Sequence, residues 1–361
     1  MFIRRIQNSI LKKLLSVPEF TSKELGNINS FLVIRQHNQL GDQLASVSFF
    51  RAIKEKYPGS KLTVVVSPEN EAAIIKNKFI DRYLVFNKKR LYFPSYFIQL
   101  VKVLREGYDV AVVPVTVSIS FTSNLLARLS KSKIKIGIKE LNGKLNDFDY
   151  FFNYRISMDW RKYPDANVAD FCLEMVHPFG ITTTNYQSEI NFDSTDKKVA
   201  GEFIQSLNKA DGELLIGLHI GAGKPPNRWS LDKYVELISL LDKKYKAKFY
   251  ITGSSADKPE LDYLLNRVTT PIGQYINKQI PEVAALVAAS DLFITNDTGI
   301  MHVAGTTATP QISLFGPTNP FNWAPNGKDK YFIRKSDLID DINVEDVLVL
   351  CENILSGVNK T

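Results

Sequence analysis

Short runs of Val, Ile and Leu alternate with stretches of helical periodicity along most of this chain, and this alternation limits the fold more than any other feature. Continuous apolar runs between amphipathic helices are typical of strands buried on both faces, as in a parallel sheet covered by helices. Such runs occupy residues 31–35, 62–68, 109–114, 133–138, 214–220, 248–254, 292–296 and 311–316. Helices are predicted at 42–57, 95–108, 123–131, 230–245, 281–290 and 342–355. The pattern predicts two doubly wound, Rossmann-like α/β domains in tandem.

The length of the chain and a change of pattern indicate where the domains divide. A single hydrophobic core stops growing at about 250–300 residues, and this chain has 361. The regular alternation is lost between residues 139 and 165, where aromatic residues and Asn are frequent. We predict an extension at 1–30, an N-terminal domain at 31–185 and a C-terminal domain at 186–361. The domains are expected to face each other across a cleft, and the last helix is free to pack back on the N-terminal domain.

The extension begins with a basic, amphipathic pattern. Apolar residues recur at helical spacing among basic ones: Phe2, Ile3, Ile6, Ile10, Leu14 and Leu15 with Arg4, Arg5, Lys12 and Lys13. One interpretation is a helix lying on an anionic membrane surface; the other is a first helix packed on its own domain. No secretory cleavage site and no run of about 18 apolar residues follows. We expect a cytoplasmic protein, with peripheral contact with the inner face of the cytoplasmic membrane as an open alternative.

The net charge indicates the kind of ligand, and the cysteine content indicates the redox compartment. The chain has 45 Lys and Arg against 38 Asp and Glu, and the net charge of +7 favours anionic ligands. Cys172 and Cys351 are too few and too far apart for a disulfide framework or a zinc cluster, which fits a reducing compartment. Basic residues 88–90 stand beside aromatic residues at 92–97, a mixture that binds nucleic acid or phosphorylated lipids in other proteins. The alternative is a turn before an amphipathic helix, with no ligand. No nucleic-acid partner is predicted.

The loop after the first strand holds a candidate catalytic carboxylate. Ligands of doubly wound sheets bind outside the carboxyl ends of the strands. Gly41 permits a tight strand-to-helix turn there, and Asp42 stands where the helix begins. Asp42 can cap the helix by accepting backbone N–H bonds, or it can take a proton from an attacking hydroxyl group. The two roles are compatible.

The loop after residues 214–220 indicates an anion site. Gly221 allows close approach of the backbone to a ligand, and Lys224 and Arg228 supply positive charge at the carboxyl end of a strand. A cationic loop of this kind suits a phosphate or a diphosphate. A solvent-exposed loop with incidental charges is the alternative.

The loop after residues 292–296 leads into a short helix. Its first-turn N–H groups attract anions, and Asp297 caps the helix or binds a sugar hydroxyl group. His302 invites a catalytic or metal role, but a helix His bonded to backbone is favoured because no second ligand at zinc-like spacing accompanies it. No metal site is predicted. Pro317 fixes the loop after the next strand, as a rigid pocket wall requires.

Three segments together resemble glycosyltransferase family 9, the bacterial heptosyltransferases that build the inner core of lipopolysaccharide. They are the first strand with LGDQ, the segment GAGKPPNRW, and DTGIMHVAG followed by LFGPTNP. The resemblance implies a GT-B fold, with the acceptor bound mainly by the N-terminal domain and the nucleotide sugar by the C-terminal one. It implies inverting, metal-independent transfer with no cofactor besides a nucleotide-sugar co-substrate, ADP-heptose.

The resemblance also assigns residues. Asp42 matches the family's general base, and the N–H groups of Thr298 and Gly299 are expected to bind phosphate. Residues 316–318 match the loop beside the donor pocket. The expected donor-binding residues are Gly41, Gly221, Lys224, Asn227, Ser255, Asp297, Thr298, Gly299, His302, Gly316, Pro317 and Thr318.

The chain departs from the family pattern at two places. Well-studied heptosyltransferases carry Lys two positions before the Trp, where this chain has Asn227. Arg228 or Lys224 is expected to supply that charge, and Arg228 is the second predicted catalytic residue. The family's acidic ribose contact has no obvious counterpart; Ser255 stands near its place, with Asp257 and Glu260 just beyond.

These observations predict an enzyme that transfers heptose from ADP-heptose onto a lipopolysaccharide-core or related lipid-linked acceptor. Two alternatives stay open. One is another GT-B enzyme, such as a nucleotide-sugar epimerase, which shares the architecture. The other is a non-catalytic protein that binds nucleotides or phosphorylated glycans.

Overall fold

The computed structural model describes residues 10–36 and 39–358, which divide into two compact units between Tyr186 and Gln187. Residues 10–15 are helical and pack on the first unit, where Arg128 Nε donates to the carbonyl of Leu15. Lys12 lies over the Tyr150 ring, whereas the side chains of Ile10 and Leu14 are 55% and 70% exposed. Residues 1–9 of the predicted basic helix lie outside the described residues.

The first unit is built around a largely parallel sheet. Its strands are β1 (Ser30–Arg35), β2 (Lys61–Val66), β3 (Arg82–Val85), β4 (Tyr108–Val112), β5 (Ser132–Leu141), β6 (Lys144–Leu145) and β7 (Tyr154–Met158). Its helices are α1 (Leu40–Ala45), α2 (Val47–Lys56), α3 (Glu71–Ile74), α4 (Pro94–Arg105), α5 (Phe121–Leu129) and α6 (Val168–Phe171). The strands pair in the order β3-β2-β1-β4-β5, with β7 parallel and β6 antiparallel to β5.

The second unit repeats this architecture with a sheet in the order β10-β9-β8-β11-β12-β13, all pairs parallel. Its strands are β8 (Leu214–His219), β9 (Ala247–Gly253), β10 (Ile272–Ile276), β11 (Leu292–Asn296), β12 (Gln311–Leu314) and β13 (Lys330–Ile333). Its helices are α7 (Ser194–Ser206), α8 (Leu231–Lys244), α9 (Lys258–Leu265), α10 (Ile280–Ala288), α11 (Gly299–Gly305), α12 (Pro320–Trp323) and α13 (Val344–Val358).

The central strands are apolar on both faces because helices cover both sides of each sheet. Right-handed crossovers place α2 and α3 on one face of the first sheet and α4 and α5 on the other. All but the first residue of β1 and the whole of β8 are buried. In the second unit α13 packs against α8 within the same apolar core.

The eight predicted strands are confirmed, and the structure adds strands that the sequence pattern did not reveal. These are the marginal β3, β6, β7, β10 and β13. A strand at a sheet edge has fewer covered positions; β3, for example, has one fully buried residue of four, and β13 has none. They therefore lack the continuous apolar run that identified the central strands.

The irregular stretch at 139–165 is packed structure. Phe148, Tyr150 and Phe151 form a contiguous group of rings, which Phe121 joins at 4.6 Å from Phe148. The ring of Phe152 lies directly over Gly137, where a Cβ atom would stand 2.3 Å from Phe152 Cζ. The aromatic residues thus form part of the core of the first unit and are not a linker.

The first predicted helix, 42–57, is wrong in its start and its continuity. Helix α1 begins at Leu40, so Gly41 lies inside the helix and not in the turn before it. A break follows at Ser46, whose hydroxyl donates to the carbonyl of Asp42 at 2.9 Å. None of the helices within the described ranges is both long and apolar enough to cross a membrane.

Candidate functional site

The loops that carry the predicted donor residues leave the same edge of the second sheet. Strand order reverses between β8 and β11, since β9 and β10 lie to one side and β12 and β13 to the other. At such a reversal the carboxyl ends of two neighbouring strands border a crevice where ligands bind. Loops 220–230 and 297–298 follow these two strands.

Asp297 is the centre of the polar cluster at this crevice. Asn227 Nδ2 donates to Asp297 Oδ2 at 2.9 Å and to its carbonyl at 3.3 Å, so the two loops are joined across the reversal. Burial raises the pKa of Asp297, while a side-chain hydrogen bond from Thr318 and the positive charge of Lys224 oppose that rise. The residue that replaces the family lysine therefore holds the acidic residue in place.

The two candidate cations have different surroundings. Arg228 donates from Nε to the carbonyl of Ala222 at 2.9 Å and from NH1 to Glu260 Oε1 at 2.5 Å. Lys224 is exposed, and no hydrogen bond or ion pair joins its ammonium group to any residue in the described ranges. The charge of Arg228 is compensated within the protein, whereas that of Lys224 is available to a ligand.

Asn296 holds the crevice loops together, a role that the sequence analysis missed. Its fully buried Nδ2 donates to the carbonyl of Ile220 at 2.8 Å, while Oδ1 accepts from Trp229 N at 3.3 Å and from Tyr234 Oη at 3.0 Å. One amide thus connects the end of β11 with the loop after β8 and with α8. An Asn that ends a buried apolar strand was the available signal.

Around Gly221 the loop backbone approaches α9. A Cβ atom at Gly221 would lie 2.6 Å from Asp257 Oδ1, so a side chain there would displace the Asp257 carboxylate. Asp257 accepts from Ser254 N at 2.7 Å in a capping box of the 3-10 turn Ser255–Asp257, which directly precedes α9. Ser255 is engaged with Asn277, whose Nδ2 donates to Ser255 Oγ at 2.7 Å.

The remaining donor candidates lie on either side of this cluster. Thr298 is the N-cap of α11, with no side-chain capping bond, and Gly299 is its first residue. His302 is buried inside α11. Gly316 is packed against Ile339 N and the carbonyl of Pro226, which a Cβ atom would meet at 3.0 and 3.1 Å. Pro317 is exposed in the loop after β12.

In the first unit Asp42 occupies the equivalent position. The strand order there reverses between β1 and β4, and Asp42 follows β1 while Thr116 follows β4. Thr116 Oγ1 donates to Asp42 Oδ1 at 3.2 Å. Asp42 does not cap α1, because it is the third residue of that helix. The N-cap residue is Gln39, whose side chain makes no capping hydrogen bond. The prediction of a capping role is wrong, because the carboxylate turns towards the reversal point.

Arg35 organises the surroundings of Asp42. Both side chains are buried, at 1% and 5% exposure, and Arg35 NH2 lies 3.7 Å from Asp42 Oδ1. The guanidinium also donates to Ser46 Oγ at 3.0 Å, to the carbonyl of Pro114 at 3.2 Å and to Thr116 Oγ1 at 3.1 Å. Among the described residues, Asp42 Oδ2 has no hydrogen-bond donor.

No group of three or more His, Cys, Asp or Glu side chains within 10–36 and 39–358 is arranged to hold a metal ion. Cys172 and Cys351 are free and buried in separate units.

A model of the family described as glycosyltransferase family 9 (heptosyltransferase) matches residues 97–345, more than half of the chain. The chain belongs to glycosyltransferase family 9. The predicted resemblance is thus confirmed, and this protein is a glycosyltransferase, as predicted. Of the open alternatives, family membership disfavours both the epimerase and the non-catalytic binder.

Individual relatives agree with this family. Lipopolysaccharide heptosyltransferase 3 of Escherichia coli is 26% identical over 305 residues, which cover 79% of this chain and 83% of the relative. The family 9 glycosyl transferase structure from Veillonella parvula DSM 2008 has a TM-score of 0.80 at 21% identity, covering 93% of this chain and 100% of that one. The E. coli ADP-heptose lps heptosyltransferase II has a TM-score of 0.74 at 18% identity, covering 91% and 99%. These structures confirm the predicted α/β, GT-B fold.

His219, at the end of β8, gives this glycosyltransferase a specific pH dependence. Its Nδ1–H donates to the carbonyl of Thr252 at 3.0 Å, and burial lowers its pKa. As the pH falls below about 6.5, the imidazole of the unfolded chain binds a proton, whereas the buried imidazole of the folded chain stays neutral. The free energy of unfolding therefore falls. We expect the free energy of unfolding to fall between pH 7.5 and 5.5 by more in wild type than in His219→Gln. Urea unfolding of wild type and His219→Gln at both pH values measures this, and an equal drop in both proteins contradicts it.

Proposed function

We propose that this glycosyltransferase transfers heptose from ADP-heptose to a lipopolysaccharide-core or related lipid-linked acceptor, with inversion at the anomeric carbon and without a metal ion. The observation that carries the proposal is the Asn227–Asp297 cluster at the β8/β11 reversal, with an uncompensated Lys224 beside it. Two of the three relatives named above are heptosyltransferases, and one of these two is an ADP-heptose enzyme. The second unit is the proposed donor domain and the first unit the proposed acceptor domain.

Asp297 is suited to bind the sugar and not the phosphate. A carboxylate repels an anion, whereas it accepts hydrogen bonds from hydroxyl groups readily. Asn227 and Thr318 fix its orientation. We assign a hydroxyl group of the donor sugar to Asp297.

The diphosphate is assigned to the positive groups around Asp297. As the bond between the anomeric carbon and the phosphate oxygen breaks, negative charge grows on the departing diphosphate. Pre-positioned cations and N–H donors stabilise such charge where it develops. Lys224 and the N–H groups of Thr298 and Gly299 are the proposed donors. Arg228, bound to Glu260 and to the Ala222 carbonyl, holds the shape of the loop.

Asp42 is the proposed general base. In a single displacement the acceptor hydroxyl loses its proton as its oxygen attacks the anomeric carbon, and ADP leaves from the opposite face. Asp42 Oδ2 takes that proton, while Oδ1 is held by Thr116. Arg35 and Thr116 act as positioning residues, since their bonds fix the carboxylate without touching the substrate.

The proposed acceptor is anchored in a lipid bilayer, and this sets the location of the reaction. We propose that the protein works at the inner face of the cytoplasmic membrane and contacts it peripherally. The net charge of +7 is of the sign that attracts an anionic leaflet.

Ligand-dependent unfolding tests the donor assignment. A ligand that binds only the folded state raises the unfolding midpoint by mass action. We expect ADP-heptose and ADP to raise the midpoint of the purified protein, and UDP, GDP and their common sugars to leave it unchanged. The shift should persist in EDTA. Stabilisation by UDP or GDP alone would contradict the ADP-heptose assignment, and loss of the shift in EDTA would contradict metal independence.

Asp42→Asn tests the base. The amide keeps the shape and can still accept from Thr116, but it cannot take a proton. We expect turnover to fall by about 10²–10⁴-fold, the usual contribution of a general base, with an unchanged midpoint shift by ADP. Asp262→Asn, an exposed replacement in the second unit, is the control and should keep full turnover. Wild-type turnover of Asp42→Asn would reject the assignment.

Lys224→Gln and Arg228→Gln separate the two cations. Loss of a group that stabilises transition-state charge costs about 10²-fold in turnover, so we expect that loss in Lys224→Gln. Arg228→Gln should mainly lower stability, because it leaves Glu260 without its partner in a half-buried place. Steady-state kinetics with thermal unfolding of both variants decides. A larger turnover loss in stably folded Arg228→Gln would reverse the assignment.

A further inference from the structure

The segment from residue 88 to 105 exposes apolar side chains that the proposed reaction does not use. Tyr92 is 91% exposed and Ile98 65%, and three more large apolar side chains stand beside them: Phe93, Phe97 and Val101. Single exposed apolar residues are ordinary, but a contiguous group marks an interaction site. We call residues 88–105 the α4 surface.

The geometry of α4 places part of this group on its outward face. Tyr96, Leu100, Val103 and Leu104 are buried and define the inward face. At 100° per residue, Ile98, Val101 and Lys102 lie on the side opposite to it. A solvated helix carries polar residues there, so Ile98 and Val101 break the amphipathic pattern without serving the core.

The turn that carries the exposed aromatic residues is bonded to the sheet. Tyr96 Oη donates to the carbonyl of Val85 at 2.9 Å and accepts from Asn87 N at 2.7 Å, which fixes the turn before α4 to the sheet. Phe93 N donates to the carbonyl of Arg90 at 3.0 Å. The backbone of this surface is therefore part of the fold.

The charge of this surface has one sign. Between Arg82 and Glu106 the chain carries five basic residues and no Asp or Glu. The five are Lys88, Lys89, Arg90, Lys102 and Arg105, all exposed, and none forms an ion pair with a residue in the described ranges. Uncompensated cations around an apolar group complement a surface that is anionic at its headgroups and apolar beneath them.

We propose that the α4 surface docks on an anionic lipid bilayer, with the apolar side chains entering the interface and the cations contacting the headgroups. A second copy of the chain fits less well, because a symmetric contact would bring the same five cations together. Nucleic acid also fits less well: Tyr92, Phe93 and Phe97 offer rings to bases, but Ile98 and Val101 on the outward face of α4 do not. The inference takes its biological setting from the proposed lipid-linked acceptor, but it does not depend on the donor or on the base.

Flotation of the full-length protein with lipid vesicles tests the inference in the absence of any donor. We expect binding to phosphatidylcholine vesicles containing one quarter phosphatidylglycerol, weak binding to pure phosphatidylcholine, and loss of binding as salt is raised, because salt screens exposed charges. The double variant Tyr92→Ser with Ile98→Gln should bind at least tenfold less. So should Lys88→Gln with Lys89→Gln.

Matched controls lie in the second unit. Leu338→Gln removes an apolar side chain of 67% exposure, and Lys243→Gln with Lys246→Gln removes two exposed cations; both should bind like wild type. Circular dichroism and thermal unfolding without ligand confirm that every variant is folded. Wild-type vesicle binding by the α4 variants would overturn the inference. An absence of vesicle binding by the wild-type protein would also overturn it. The same holds if the wild type instead forms a dimer that the Tyr92→Ser, Ile98→Gln variant abolishes, since the surface would then be a contact between two copies. The donor assignment is tested separately by the unfolding panel, so either can fail alone.

Discussion

Each sheet of this glycosyltransferase reverses its strand order once, and the two reversals decide where polar residues can be placed inside an apolar fold. Elsewhere the central strands are covered on both faces, and a polar side chain there would be buried without water. At β1/β4 and β8/β11 the helices diverge, so the loops after neighbouring strands meet each other. Both proposed functional carboxylates, Asp42 and Asp297, lie at these points, and each accepts a hydrogen bond from the loop after the neighbouring strand.

The two carboxylates are held in different ways, and the difference agrees with different roles. Asp42 stands 3.7 Å from a buried guanidinium that has four further acceptors. The same guanidinium binds Ser46, Pro114 and Thr116, so the geometry around the proposed base is also part of the packing of the fold. Asp297 has a neutral amide partner, Asn227, and its cation is exposed. That arrangement leaves a positive charge for a ligand that brings its own negative charge.

The departure from the family pattern at Asn227 gains a physical explanation from these contacts. A lysine there would pair with Asp297 directly. The amide instead donates to both the carboxylate and the carbonyl of Asp297, while Lys224, three residues earlier, keeps its ammonium group in solvent. Arg228 was an equally good candidate by sequence position, but Glu260 on α9 compensates its charge. Only the fold brings residue 260 next to residue 228.

The sequence by itself determined the class of fold, the central strands and the loops that hold the proposed site. The reason is that a central strand is buried on both faces and therefore consists of a continuous run of apolar residues. It also determined the family, through motifs whose spacing depends on those loops. The tertiary structure alone decided which strands form the edges, since edge positions are half-solvated and carry no distinct pattern. It decided the surroundings of Asp42. Thr116 is distant from Asp42 in sequence, and nothing in the sequence pattern singled out Arg35 or Ser46 as its neighbours. The roles of Arg35 and Asn296 were hidden for the same reason: an ionic or amide side chain within a strand has meaning only through partners that chain topology brings to it.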